Sequence, residues 1–77
     1  LNVWIEKAVR NYPPPATQGK SIKIKFVEQV QQSPPIFALF SNYPKLISTQ
    51  YLRYLHNQLR ESFDLKGITI KFSLRKG

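Results

Sequence analysis

Apolar residues recur along this chain with two different periods. Near the start, Leu1, Ile5, Ala8, Val9 and Tyr12 fall on one side at 3.6 residues per turn, with Trp4 on the flank, and predict a helix. Glu6 and Arg10 stand one turn apart on the far side, and Val3 points away from the stripe. Pro13-Pro14-Pro15 stops this helix, because proline lacks the amide donor and restricts the residue before it. Ile22, Ile24 and Phe26 then alternate with Ser21, Lys23 and Lys25, which is the period of a half-buried strand. The polar segment from Glu28 to Ser33 reads as a loop. After it, Ile36 to Phe40 form a continuous apolar run, suited to a strand that is central or covered on both faces.

Asn42-Tyr43-Pro44 breaks that strand, and the longest helix follows. Ser48 or Thr49 is placed to cap it; Leu52, Leu55, Leu59 and Phe63 make its stripe, with Tyr51 beside them. Gly67 is the expected terminator, since glycine enters the left-handed region at little cost. The last strand is the clearest: Ile68, Ile70, Phe72 and Leu74 alternate with Thr69, Lys71, Ser73 and Arg75. The order is therefore αββαβ, without repeats or an internal linker, in one domain spanning residues 1–77. The economical arrangement is an α+β fold of two layers, both helices on one face of a three-stranded sheet. A helical crossover joins the second and third strands, so these run parallel; which strand is central stays open.

Composition adds limits. A chain of 77 residues builds only a thin core, and 42% apolar residues are enough for one. The absence of cysteine excludes disulfides and thiolate metal sites and is compatible with the cytosol. No apolar run approaches the roughly 20 residues of a membrane span. Leu1 already lies in a helical pattern, so the chain reads as a domain cut from a longer protein. Motifs for catalysis are missing: there is no Walker-type or dinucleotide-binding glycine loop, His56 has no nucleophile to serve, and Glu6, Glu28, Glu61 and Asp64 are scattered. The fragment is read as no enzyme, with no catalytic, cofactor or metal site.

Twelve Lys and Arg against four Asp and Glu give a net charge of +8, which points to a polyanionic partner. Lys23, Lys25, Lys71 and Arg75 alternate with core positions and should project from the sheet face opposite the helices, with Lys20 and Lys76 at the strand ends. Such a plate could lie along phosphates, although lysines that solubilise a surface and discourage edge pairing make the same pattern. Arg53, Asn57 and Arg60 form a second candidate on a helix flank, suited to a neighbouring protein domain or to RNA, while Arg60 could instead pair with Asp64. Phe26, Phe37, Phe40, Phe63 and Phe72 are assigned to the core rather than to base stacking. Tyr12 to Pro15 reads as a rigid spacer sooner than a polyproline ligand.

Two stretches carry a family resemblance. Pro34-Pro35-Ile36-Phe37 with its Asn42-Tyr43-Pro44 exit, and the helix Arg53-Tyr54-Leu55-His56-Asn57-Gln58-Leu59-Arg60-Glu61-Ser62-Phe63, resemble the C-terminal domain of the EngA/Der family of bacterial GTPases. Gly67, the prolines after Tyr12 and the basic ending Arg75-Lys76 match as well; Thr69 stands where the family commonly has proline, and His56 where it often has glutamate. The resemblance implies a KH-like fold without the GXXG loop, and the connection from Asn42 to Ser48 contains no glycine. It further implies two upstream GTPase domains that hold GTP and magnesium, and a cytoplasmic role in assembly of the large ribosomal subunit. The partners it implies are ribosomal RNA, or that subunit, and the protein's own GTPase domains, with no membrane and as a monomer. Lys23, Lys25, Lys71, Arg75 and Lys76 would then be RNA contacts, and Arg53, Asn57 and Arg60 docking or RNA contacts. The alternative is a domain that packs on its own GTPase domains with little RNA contact.

Overall fold

A computed structural model describes residues 1–65 and 67–77. Helix α1 spans Asn2–Asn11, strand β1 Ile24–Gln32, strand β2 Pro35–Ser41, helix α2 Thr49–Phe63 and strand β3 Lys71–Lys76. A single 3-10 turn, Pro44–Leu46, lies between β2 and α2. The order is αββαβ, as the periodicities predict. The sheet order is β1-β2-β3, so the most apolar strand is the central one. β1 and β2 are antiparallel, while β2 and β3 run parallel across the α2 crossover.

The core lies between one sheet face and the two helices. Ile5 and Ala8 of α1 and Tyr51, Leu55 and Leu59 of α2 are buried with Val27, Phe37 and Leu39 of the sheet. Ser48 caps α2 by accepting from the Tyr51 amide at 3.0 Å. Its other end departs from expectation. The helix stops at Phe63, and Asp64, not Gly67, takes the left-handed conformation with φ 51°. Aspartate tolerates that region better than most residues, and Gly67, at φ 78°, serves the turn that follows.

The segment from Glu28 to Ser33 is not a loop. β1 continues to Gln32, and a two-residue turn at Ser33-Pro34 leads straight into β2. An edge strand needs only one hydrogen-bonded neighbour, so the glutamines at this end of β1 stay exposed while the ladder to β2 is kept. Two residues of β1, Lys25 and Val30, have no partner on β2, and each marks a break in register.

The two helices are joined at their ends by tyrosines. The Tyr51 hydroxyl donates to the Tyr12 carbonyl at 2.8 Å and the Tyr54 hydroxyl to the Ala8 carbonyl at 2.7 Å. The Tyr12 carbonyl, just past the end of α1, is thereby satisfied from α2, while the Ala8 carbonyl takes this bond in addition to the one from the Tyr12 amide at 3.2 Å. The Asn2 side chain accepts from the Val27 amide at 3.0 Å, which ties the start of α1 to β1.

Candidate nucleic-acid interface

Residues directly opposite one another in a ladder share a face, so the register sorts the sheet into two surfaces. Ile24–Ser41, Val27–Leu39 and Gln29–Phe37 in the first pair, and Phe37–Phe72 and Leu39–Leu74 in the second, form the face under the helices. The outer face carries Phe26, Glu28 and Gln31 from β1, Ile36, Ala38 and Phe40 from β2, and Lys71, Ser73 and Arg75 from β3.

Lys71 and Arg75 are therefore on the outer face and exposed, and the Arg75 Nε donates to Ser73 Oγ at 3.3 Å, along that face. Lys25 is the unpaired residue of the bulge, exposed next to Phe26. Lys23 lies just before β1. Its amide donates to Asn42 Oδ1 at 2.8 Å, the Asn42 amide donates to its carbonyl at 3.3 Å, and the Asn42 side-chain amide donates to the Ser21 carbonyl at 3.0 Å. The asparagine of the strand exit is thus a clasp that fixes the approach to β1.

Lys76 departs from the expected plate. It pairs with Ser41 in the series that faces the helices, and it lines a hollow with Asn42, Tyr43, Pro44, Lys45 and Leu46. Lys20 closes a tight turn with Thr17 and sets its ammonium 5.2 Å from the centre of the Tyr43 ring. The plate is also mixed in character, because Glu28 shares it.

Three of the five phenylalanines assigned to the core, Phe26, Phe40 and Phe63, are outside it. Phe26 is 40% exposed, and its ring stacks on Phe40 at 4.3 Å between centroids and 15° between planes. The bulge at Lys25 reverses the phase of β1, so Val27 is buried in the place where alternation put Phe26. The signal was present in the sequence: Phe26 and Val27 are adjacent apolar residues, and a strand can turn only one of two neighbours inward. Phe63 is 46% exposed at the rim of a groove of about 370 Å³ lined by Leu1, Phe37, Leu59, Leu65 and Ile68, among others.

On α2, Arg53 and Asn57 are exposed, while Arg60 donates to the Leu65 carbonyl at 3.4 Å rather than to Asp64. His56 makes a structural contact, its Nε2 lying 2.9 Å from the Ile70 carbonyl with the ring edge-on to Phe72. Burial, with smaller contributions from neighbouring tyrosines, raises the Tyr51 hydroxyl above its ordinary 10.0, and burial likewise raises Tyr54. Among the described residues, no three His, Asp or Glu side chains come together where they could hold a metal ion, and no helix is long and apolar enough to cross a membrane.

Comparison with known proteins now decides the family. The family described as KH-domain-like of EngA bacterial GTPase enzymes, C-terminal, matches residues 1–75. This chain belongs to it. Among its relatives, the GTPase Der of Bartonella henselae is 49% identical over 75 residues, and that of Parvibaculum lavamentivorans 45% identical over 76. These alignments take in 97% and 99% of the chain but 16% of each relative, so the chain spans about a sixth of their length. The GTPase Der of Brucella suis is 43% identical over 75 residues, again with 97% of the chain and 16% of the relative covered. The EngA-type resemblance read from the strand and helix motifs is thus borne out over nearly the whole chain. Asn42, within the strand-exit motif that carried it, is the clasp just described.

Proposed function

We propose that this chain is the RNA-docking module of a ribosome-assembly GTPase, contacting ribosomal RNA of the large subunit through the outer face of its sheet. The observation that carries this reading is the shared placement of Lys71 and Arg75 on a face that the helices leave open, with Lys25 and Lys23 at the opposite edge, in and just before β1. In a chain of net charge +8, such a face neutralises phosphates, and its affinity falls steeply with salt. Upstream domains like those of the relatives named GTPase Der would hold GTP and magnesium, and this module would link their state to ribosome contact in the cytoplasm.

A second reading, docking on the protein's own GTPase domains, is favoured by the apolar groove with exposed Phe63 and Ile68 and by Val3, which is 80% exposed on α1. Arg53, Asn57 and Arg60 would contribute to that contact. Filter binding of the chain to structured RNA over a salt series separates the two. The RNA reading predicts a steep salt slope and loss of binding when Lys23, Lys25, Lys71 and Arg75 are changed to Glu. Weak, salt-insensitive binding that the changes leave unaltered supports docking instead.

A further inference from the structure

The outer face holds more than charge. Phe26, Phe40 and Arg75 are consecutive partners across β1, β2 and β3, so they form one row running over the sheet at right angles to the strands. Phe26 and Phe40 are nearly parallel and in stacking contact, so one face of each ring covers the other. Phe40 is half-buried, whereas Phe26 keeps 40% of its surface in water. Gly77 passes against the Phe40 ring so closely that a Cβ there would sit 3.1 Å from it, so a larger residue at this position would crowd the edge of the row.

Burial alone does not account for this arrangement. A cross-strand aromatic pair stabilises a sheet, yet its usual place in a thin domain is under the helices, where Phe37 and Phe72 lie at 6.3 Å. Here the bulge at Lys25 turns Phe26 outward and sets a lysine next to it, while Arg75 flanks Phe40 on the other side. A flat apolar ring between two cations matches one chemistry well: an unstacked nucleobase over the ring with its phosphates on either side. A duplex offers phosphates but no free base face, so it would use the cations alone.

The geometry points to a base-stacking platform at Phe26 and Phe40 for single-stranded RNA, with Lys25, Lys71 and Arg75 as its phosphate contacts. This site deepens the RNA-docking reading and rests on it. It is also distinct from a GXXG clamp, since it lies on the open face of the sheet and not in the β2–α2 connection.

Fluorescence anisotropy of this chain with an oligouridine of about eight nucleotides, and with an RNA hairpin duplex, tests it. Phe26→Leu and Phe40→Leu should each weaken oligouridine binding about 5-fold or more and leave duplex binding unchanged. The pair Lys71→Glu and Arg75→Glu should weaken both. Unchanged oligouridine binding in the phenylalanine variants, with loss of both RNAs on charge reversal, would overturn the platform and keep the basic face. Indifference of both RNAs to charge reversal, or no RNA binding at all, would overturn both. Should the phenylalanine variants lose their circular dichroism signal, photocrosslinking of the unaltered chain to 4-thiouridine RNA decides. Crosslinks on Phe26 or Phe40 support the platform, and crosslinks confined to other elements contradict it.

Discussion

The two faces of β2 carry similar residues in different surroundings. Phe37 and Leu39 point under the helices and are almost fully buried; Ile36 and Phe40 point the other way and are only half-buried. On the helix side, Phe37 and Leu39 meet Leu55, Leu59 and Tyr51 in a closed cluster. On the outer side, Phe40 meets one ring, Phe26, with Arg75 as its ladder partner and Gly77 against its edge. The difference teaches that a large apolar side chain in this sheet joins the helix-side core only if the register turns it toward the helices. Hydrophobicity alone does not assign it.

The largest effect that would sharpen this contrast is a core truncation. Leu55→Ala or Leu39→Ala should cost about 2–5 kcal/mol, a large part of the stability of so small a domain, as read by urea denaturation. By comparison, Phe40→Leu on the outer face should cost less than about 1.5 kcal/mol, because it loses one stacking contact and leaves little cavity. Equal losses at the two sites would break the comparison.

Next in size are the polar contacts that hold the helix side together. Ser48→Ala removes the cap of α2 and should cost about 1 kcal/mol in the same assay. Tyr51→Phe removes the bond to the Tyr12 carbonyl and should cost a similar amount, about 1 kcal/mol. The tyrosines also set a pH dependence whose sign follows from burial. Tyr51 and Tyr54 are raised above 10.0 in the folded chain, so the unfolded chain releases these protons first. Their contribution is complete below about pH 10 and is lost as pH rises beyond it. Thermal unfolding between pH 9 and 11 should show a fall in Tm at the upper end, and Tyr51→Phe should flatten it.

The smallest stability effect should come from Phe26→Leu, below about 1 kcal/mol, because much of that ring is already in water. Its consequence belongs to RNA affinity instead. That separation of stability from binding is what the contrast between the faces requires.

Much of this fold was legible in the chain itself. The 3.6-residue stripes located both helices, the apolar run at Ile36 to Phe40 marked the strand that proves central, and the crossover required β2 and β3 to be parallel. Three features were missed, each for a physical reason. Gln29, Gln31 and Gln32 read as loop because strand propensity is a weak preference that a ladder on one side overrides. Asp64 took the position expected of Gly67 because the choice of left-handed residue depends on where α2 loses its cover, which is a tertiary matter. The bulge at Lys25 moved Phe26 to the outer face, and alternation cannot register one unpaired residue. Of the candidate site, Lys71 and Arg75 lie on the outer face as their alternation implies, whereas Lys76 pairs on the opposite side.

Mapping backbone amide shifts by NMR during titration of the chain with single-stranded RNA tests most directly which surface is used. The account predicts that the perturbed amides will gather in Lys23 to Glu28, in Phe40 and in Lys71 to Arg75, and that they will revert as salt is raised. Perturbations confined to Arg53, Asn57 and Arg60, or to the groove around Phe63 and Ile68, with the outer sheet silent, would contradict it.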